Sequence, residues 1–125
     1  MSTKSKVYFA SKAHHAKFVA ALAAAGLKLH SDWHHWLPNQ DQVPPTPLQW
    51  TEHSERCLRQ AAESSICLLY FESSERHMGS LLEAGSCLGA GGTVFLIADA
   101  PLPFLRCHPR VRSFDSLDDA VRALK

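Results

Sequence analysis

The sequence predicts a three-layer α/β sandwich, with a five-stranded parallel sheet in the flavodoxin-like (Rossmann-like) order 2-1-3-4-5 and helices on both faces. Three observations carry this. Short β-prone runs alternate with helical segments along the whole chain, and right-handed crossovers between parallel strands then place helices on both sides. The run Ile66 to Phe71 is continuously apolar, as suits a strand buried on both faces. The 125 residues, 46% hydrophobic and 20% charged, have the balance of one ordinary globular domain covering 1–125.

The elements follow in order. Lys6 to Ala10 reads as the first strand, Ser11 as the cap of an alanine-rich helix ending at Gly26, and Leu27 to His30 as a brief second strand. The next stretch, SDWHHWLPNQDQVPPTP, holds four of the seven prolines and reads as a long loop. Thr46-Pro47-Leu48-Gln49 has the signature of a capping box with proline at the first helical position, and Cys57, Leu58, Ala61 and Ala62 follow at helical spacing. After the third strand at Ile66 to Phe71, Leu81, Leu82, Gly85, Leu88 and Gly89 form one helical stripe, and Gly91-Gly92 end it. Thr93 to Ala98 is a fourth strand and Val111 to Phe114 a fifth. Ser116-Leu117-Asp118-Asp119 looks like the cap of a final helix.

Thirteen Lys and Arg against twelve Asp and Glu leave a net charge of +1, with no block of like charges to bind a nucleic acid polymer. The four cysteines form no CxxC pair, and read as reduced thiols. No signal-peptide pattern opens the chain and no apolar run nears the ~20 residues of a membrane span, so a cytoplasmic protein with no membrane partner is expected.

In an open parallel sheet the ligand crevice lies beyond the carboxyl ends of the strands where their order reverses, here between strands one and three. The first loop has neither GxGxxG nor GxxxxGK[ST], so no dinucleotide or P-loop cofactor is implied. Glu83 sits early in the helix after strand three. It lies off the Leu81/Leu82 stripe, which allows a solvated surface residue. Near the crevice, with helix amides favouring its ionised form, it is also suited to act as a nucleophile. Tyr8 points either into the core or toward the crevice, and its hydroxyl needs a partner in both cases.

Val7-Tyr8-Phe9-Ala10, Ser65 to Phe71, Met78 to Gly85 (MGSLLEAG), Gly92 to Ile97 and the ending His108 to Ala120 together resemble the nucleoside 2-deoxyribosyltransferase superfamily, which includes 2'-deoxynucleoside 5'-phosphate N-hydrolase-like proteins. The resemblance implies that Glu83 attacks the anomeric carbon of a deoxyribose, that Tyr8 contacts this carboxylate, and that backbone amides near Gly79 and Ser80 hold the sugar or a phosphate. It implies a small nucleoside or nucleotide substrate, a homodimer or higher homo-oligomer, and no metal or organic cofactor.

Where the transferases carry two Asp residues, this chain has Glu72 and His77, each suited to protonate the leaving base. The ending AVRALK lacks the Asn that the transferases lend to a neighbouring subunit, so hydrolysis is expected ahead of transfer. The alternative is a nucleotide-binding module of the same fold without turnover.

In the loop, Trp33 is either a stacking platform for the base or an anchor of the loop on the core. His30, Asp32, His34 and His35 invite a metal reading, which a strand end rather than a helix at this point argues against. Ser11, Arg76 and Arg106 are candidate phosphate contacts.

Overall fold

The computed structural model describes residues 6–35, 45–72 and 78–125. Its strands are β1 (Val7–Ala10), β2 (Ile66–Phe71), β3 (Thr93–Ala98) and β4 (Val111–Phe114). Its helices are α1 (Lys17–Ala24), α2 (Pro47–Glu63), α3 (Met78–Gly89), α4 (Pro103–Arg106) and α5 (Leu117–Ala123). All strand pairs are parallel, in the order β1-β2-β3-β4. The row Tyr8, Cys67, Val94, Val111 runs across the sheet in register, and the next row is Phe9, Leu68, Phe95, Arg112. Tyr8, Phe9, Leu68, Leu69 and Leu96 are fully buried at its centre. Helices α2 and α3 lie side by side on one face, and α1 and α5 pack on the other.

The sheet has four strands rather than the expected five. Leu27 to His30 contributes only a single bridge, Leu29 to Val7, at the place the second strand would occupy. Side chains replace its ladder. His30 N–H donates to the Val7 carbonyl at 2.7 Å, but Phe9 N–H then donates to Ser31 Oγ at 3.0 Å. Trp33 Nε1 donates to the Phe9 carbonyl at 2.5 Å. The outer edge of β1 is satisfied without a strand, so it offers little template for another chain.

The capping box of α2 is present as read, with Gln49 N–H donating to Thr46 Oγ1 and Thr46 N–H to Gln49 Oε1. Ser116 caps α5 through the Asp119 amide. The cap expected at Ser11 does not form. A 3₁₀ turn (Ala13–Ala16) precedes α1, and Ser11 Oγ instead donates to the Tyr70 carbonyl at 2.6 Å, tying β1 to β2 at their carboxyl ends. The short α4 was not legible in the sequence. It belongs to a loop held by Arg106, whose guanidinium donates to the carbonyls of Ala98, Ala100 and Pro101 and to Ser113 Oγ. That leaves Arg106 spent on structure rather than on a phosphate; Arg76 lies outside the described residues.

The turn from α3 into β3 is closely packed. Gly91 has φ +96°, and a Cβ built on Gly92 would meet Cys87 Sγ at 2.5 Å and the Cys87 and Ser64 carbonyls at 3.0 Å. Two of these three neighbours are backbone atoms, which cannot swing away. Gly92→Ala is therefore expected to cost about 1–3 kcal/mol, from the forced separation of α3 and the sheet, read as a lower urea midpoint with an unchanged m-value.

Candidate functional site

Both α2 and α3 run antiparallel to the strands, so their amino-terminal halves lie at the carboxyl edge of the sheet, beside the 31–35 segment. Tyr8, fully buried, projects from β1 toward these two helices, where it interacts with Glu83 of α3 and Cys57 of α2.

The buried stripe of α3 differs from the one read in the sequence. Ser80, Ala84 and Cys87 face the sheet, while Leu81 and Leu82 are exposed. The gap between helix and sheet is narrow, so it admits small side chains and excludes leucines. Glu83, one helical step from each of Ser80, Ala84 and Cys87, is thereby drawn inward beside Tyr8. It stands in the second turn of α3, past the helix's free amides. The expectation of a carboxylate held ionised by those amides is corrected accordingly. Burial dominates and pushes Glu83 up to about 7, opposed only in part by the Tyr8 hydroxyl.

Glu83 Oε2 and Tyr8 Oη are both buried, and neither closes a hydrogen bond of normal length. The phenol is nonetheless near enough to favour the carboxylate, and burial with the Glu83 and Cys57 charges drives the phenol's own pKa far upward. Cys57 Sγ lies 3.6 Å from His53 Nε2 one turn earlier on α2, and burial pushes the thiol up to about 11. Asp32 Oδ1 and His34 Nδ1 are also buried without a hydrogen-bond partner. Burial lowers His34 and His53, which the Asp32 charge opposes. Asp32 is tied to α2 by its own amide, which donates to Gln60 Oε1 at 3.4 Å.

The residues read from the sequence thus divide. Tyr8 and Glu83 come together. Gly79 and Ser80 belong to the first turn of α3, whose amides have no acceptor within the helix. The Ser80 side chain is buried, and a Cβ on Gly79 would lie 3.9 Å from Glu83 Oε1. Glu72 is exposed at the carboxyl end of β2, and His77, with Trp36, lies outside the described residues. Trp33 is buried and stacked on Phe9 with ring centroids 6.0 Å apart, so as placed it anchors the loop.

His30 pairs with Glu63 at 2.8 Å, at the other end of α2 from His53. Among the described residues no group of three or more His, Cys, Asp or Glu is arranged to hold a metal ion, and no helix is long and apolar enough to cross a membrane.

From the residues alone Asp32 reads as a metal-ligand candidate, Cys57 as a reduced thiol on a helical stripe, and His53 carries no signal of its own. The available signal was the i, i+4 spacing of His53 and Cys57, with Cys57 on the inward stripe of α2.

No family model, curated protein or solved structure matches the chain.

Burial of Glu83 has a measurable consequence. Between about pH 4.5 and pH 7 the folded protein holds a proton that the unfolded chain has released, so stability falls as pH rises through this window. Glu83→Gln removes that slope. The variant is expected to match the wild type near pH 4 and to exceed it by on the order of 2–3 kcal/mol at pH 8, measured by urea denaturation at both values.

Proposed function

We propose that the crevice cleaves the N-glycosidic bond of a (deoxy)nucleoside or nucleotide through Glu83, by hydrolysis rather than transfer to a second base. The observation that carries this reading is the pairing of Tyr8 with a half-buried Glu83, whose enclosed Oε2 lacks a hydrogen-bond partner, at the carboxyl edge of the sheet. Leaving a buried polar group unpaired costs about 1–3 kcal/mol, and a fold that retains such groups together holds them for something else.

In the proposed reaction the ionised Glu83 carboxylate attacks the anomeric carbon as the bond to the base nitrogen breaks, and Tyr8 positions the carboxylate. The departing base takes a proton from an acid. Glu72 and His77 are candidates from the sequence, and His53 joins them because it shares the crevice with Glu83. Water then adds to the anomeric carbon and releases Glu83, the scheme of a retaining glycosidase. The amides of Gly79 and Ser80 are placed to hold the sugar or its phosphate, and Ser11, engaged as a donor, can still accept a hydrogen bond. A homo-oligomer belongs to the same reading, and the exposed Leu81 and Leu82 of α3 with Leu48 and Trp50 of α2 are the apolar surface that favours one.

The test is release of free base from a panel of deoxynucleosides and deoxynucleoside 5'-monophosphates, with and without an acceptor base. Glu83→Gln is expected to lower kcat/KM by about 10³-fold or more, as loss of a covalent nucleophile does. A nucleophile must be ionised, so kcat/KM should rise with pH through about 7; a fall through that range would make Glu83 a proton donor instead. Absence of release from every substrate would overturn the enzyme reading.

The second reading is a nucleotide-binding module without turnover. It is favoured by a carboxyl that is half protonated near neutral pH in the free protein, a weaker nucleophile but a versatile hydrogen-bonding group. Saturable nucleotide binding that is lost in Glu83→Ala, with no product after long incubation, would distinguish it.

A further inference from the structure

The opposite face of the sheet carries a cavity remote from Glu83. At the amino edge, the segment after α1 and the end of α5 border about 880 Å³, a volume in the usual range for small-molecule sites. Leu27, Ile66 and Leu124 are part of its apolar lining. Glu63 pairs with the lining His30 and feels the charge of Lys6, but among the described residues no Asp or Glu lines the cavity itself. Three cations do: Lys6 before β1, Lys28 after α1 and Arg112 on β4.

Arg112 is the informative residue. It stands exposed on the edge strand β4, in register with the buried Phe9, Leu68 and Phe95 of the same face. Its guanidinium lies over both Phe95 and Phe114, 5.2 Å from each ring centroid. Two aromatic faces fix its orientation, and none of its N–H groups is spent on an acceptor among the described residues, nor do Lys6 and Lys28 form ion pairs there. The carboxyl-terminal ends of α1 and α5, each worth roughly half a negative charge, point to this edge, and with the Glu63 carboxylate beside His30 they are still outweighed by the three full positive charges.

We propose that this cavity binds an amphipathic carboxylate of the medium-chain fatty acid class. The carboxylate takes the preoriented fork of Arg112, Lys6 and Lys28 supply the surrounding positive field, and the aliphatic chain covers Leu27, Ile66 and Leu124. The site is independent of the glycosidic reading, because it shares no residue with the crevice.

The experiment is calorimetric titration of the full chain with dodecanoate below its micellar concentration, beside dodecanol and dodecyltrimethylammonium. Saturable binding of one dodecanoate is expected, with the neutral and cationic amphiphiles at least about tenfold weaker, as charge-assisted bidentate recognition requires. Arg112→Gln should weaken dodecanoate about tenfold or more, and Arg112→Lys should restore only part of the loss. Lys28→Glu, an exposed substitution that leaves the sheet untouched, should weaken it several-fold and decides the matter where Arg112→Gln does not fold by circular dichroism.

Equal affinity for dodecanol, or no effect of either charge change in folded protein, would overturn the proposal. So would binding to anionic vesicles alone without binding of free dodecanoate, which would mark a membrane surface. A concentration-dependent dimer that Lys28→Glu abolishes, without dodecanoate binding, would assign the groove to a second copy and also overturn it.

Discussion

The close approach of α3 to the sheet sets the rest of this structure. At Gly92 a backbone without a side chain touches Cys87 and Ser64, and along α3 only Ser80, Ala84 and Cys87 fit against the strands. A helix held this near carries its neighbouring side chains inward with it. Glu83 is half-buried for that reason, with Oε2 enclosed, and it meets Tyr8 because β1 places alternate side chains on the same face. Packing of small residues thus creates an electrostatic situation that no property of Glu83 itself requires.

That situation is costly, and its form is informative. Helix amides stabilise a nearby carboxylate by about 0.3–1 kcal/mol, an effect confined to the first turn, whereas burial of an incompletely paired charge costs more. One turn further along α3 the second effect wins, and the carboxyl rises to about 7. Tyr8 offsets part of this without closing a bond, and Cys57 adds a thiol that burial keeps protonated. The result is a group able to gain or lose a proton near neutrality, set among other polar atoms that lack partners. Sites that do chemistry on a substrate tolerate such deficits where a structural core does not.

The edge of β1 shows the converse, in which the Val7 carbonyl and both backbone groups of Phe9 find partners. Ser31 and Trp33 supply through side chains what a fifth strand would have supplied through its backbone. The chain leaves the sheet at that point and turns across the crevice, bringing Asp32 and His34 beside α2. An irregular edge therefore does more for the site than a longer strand would, because a regular ladder would have carried these residues past it.

Much of the architecture was legible in the residues alone. The apolar runs of β2 and β3, the capping box at Thr46, the cap at Ser116 and the parallel alternation all follow from local chemistry that acts within a few residues. Glu83 was legible as a candidate from its place early in the helix after strand three, and resemblance to a family joined Tyr8 to it. Their contact was legible only as what that resemblance implies, and the inversion of the α3 stripe, the loss of the second strand and the recruitment of His53, Cys57 and Asp32 were not legible. Helical periodicity counts apolar residues, but which face turns inward depends on how near the sheet lies. The sequence by itself determined which segments become strands and helices and in what order they stack. Only the tertiary structure decided which polar groups share a buried space, because burial and proximity arise between segments distant in the chain.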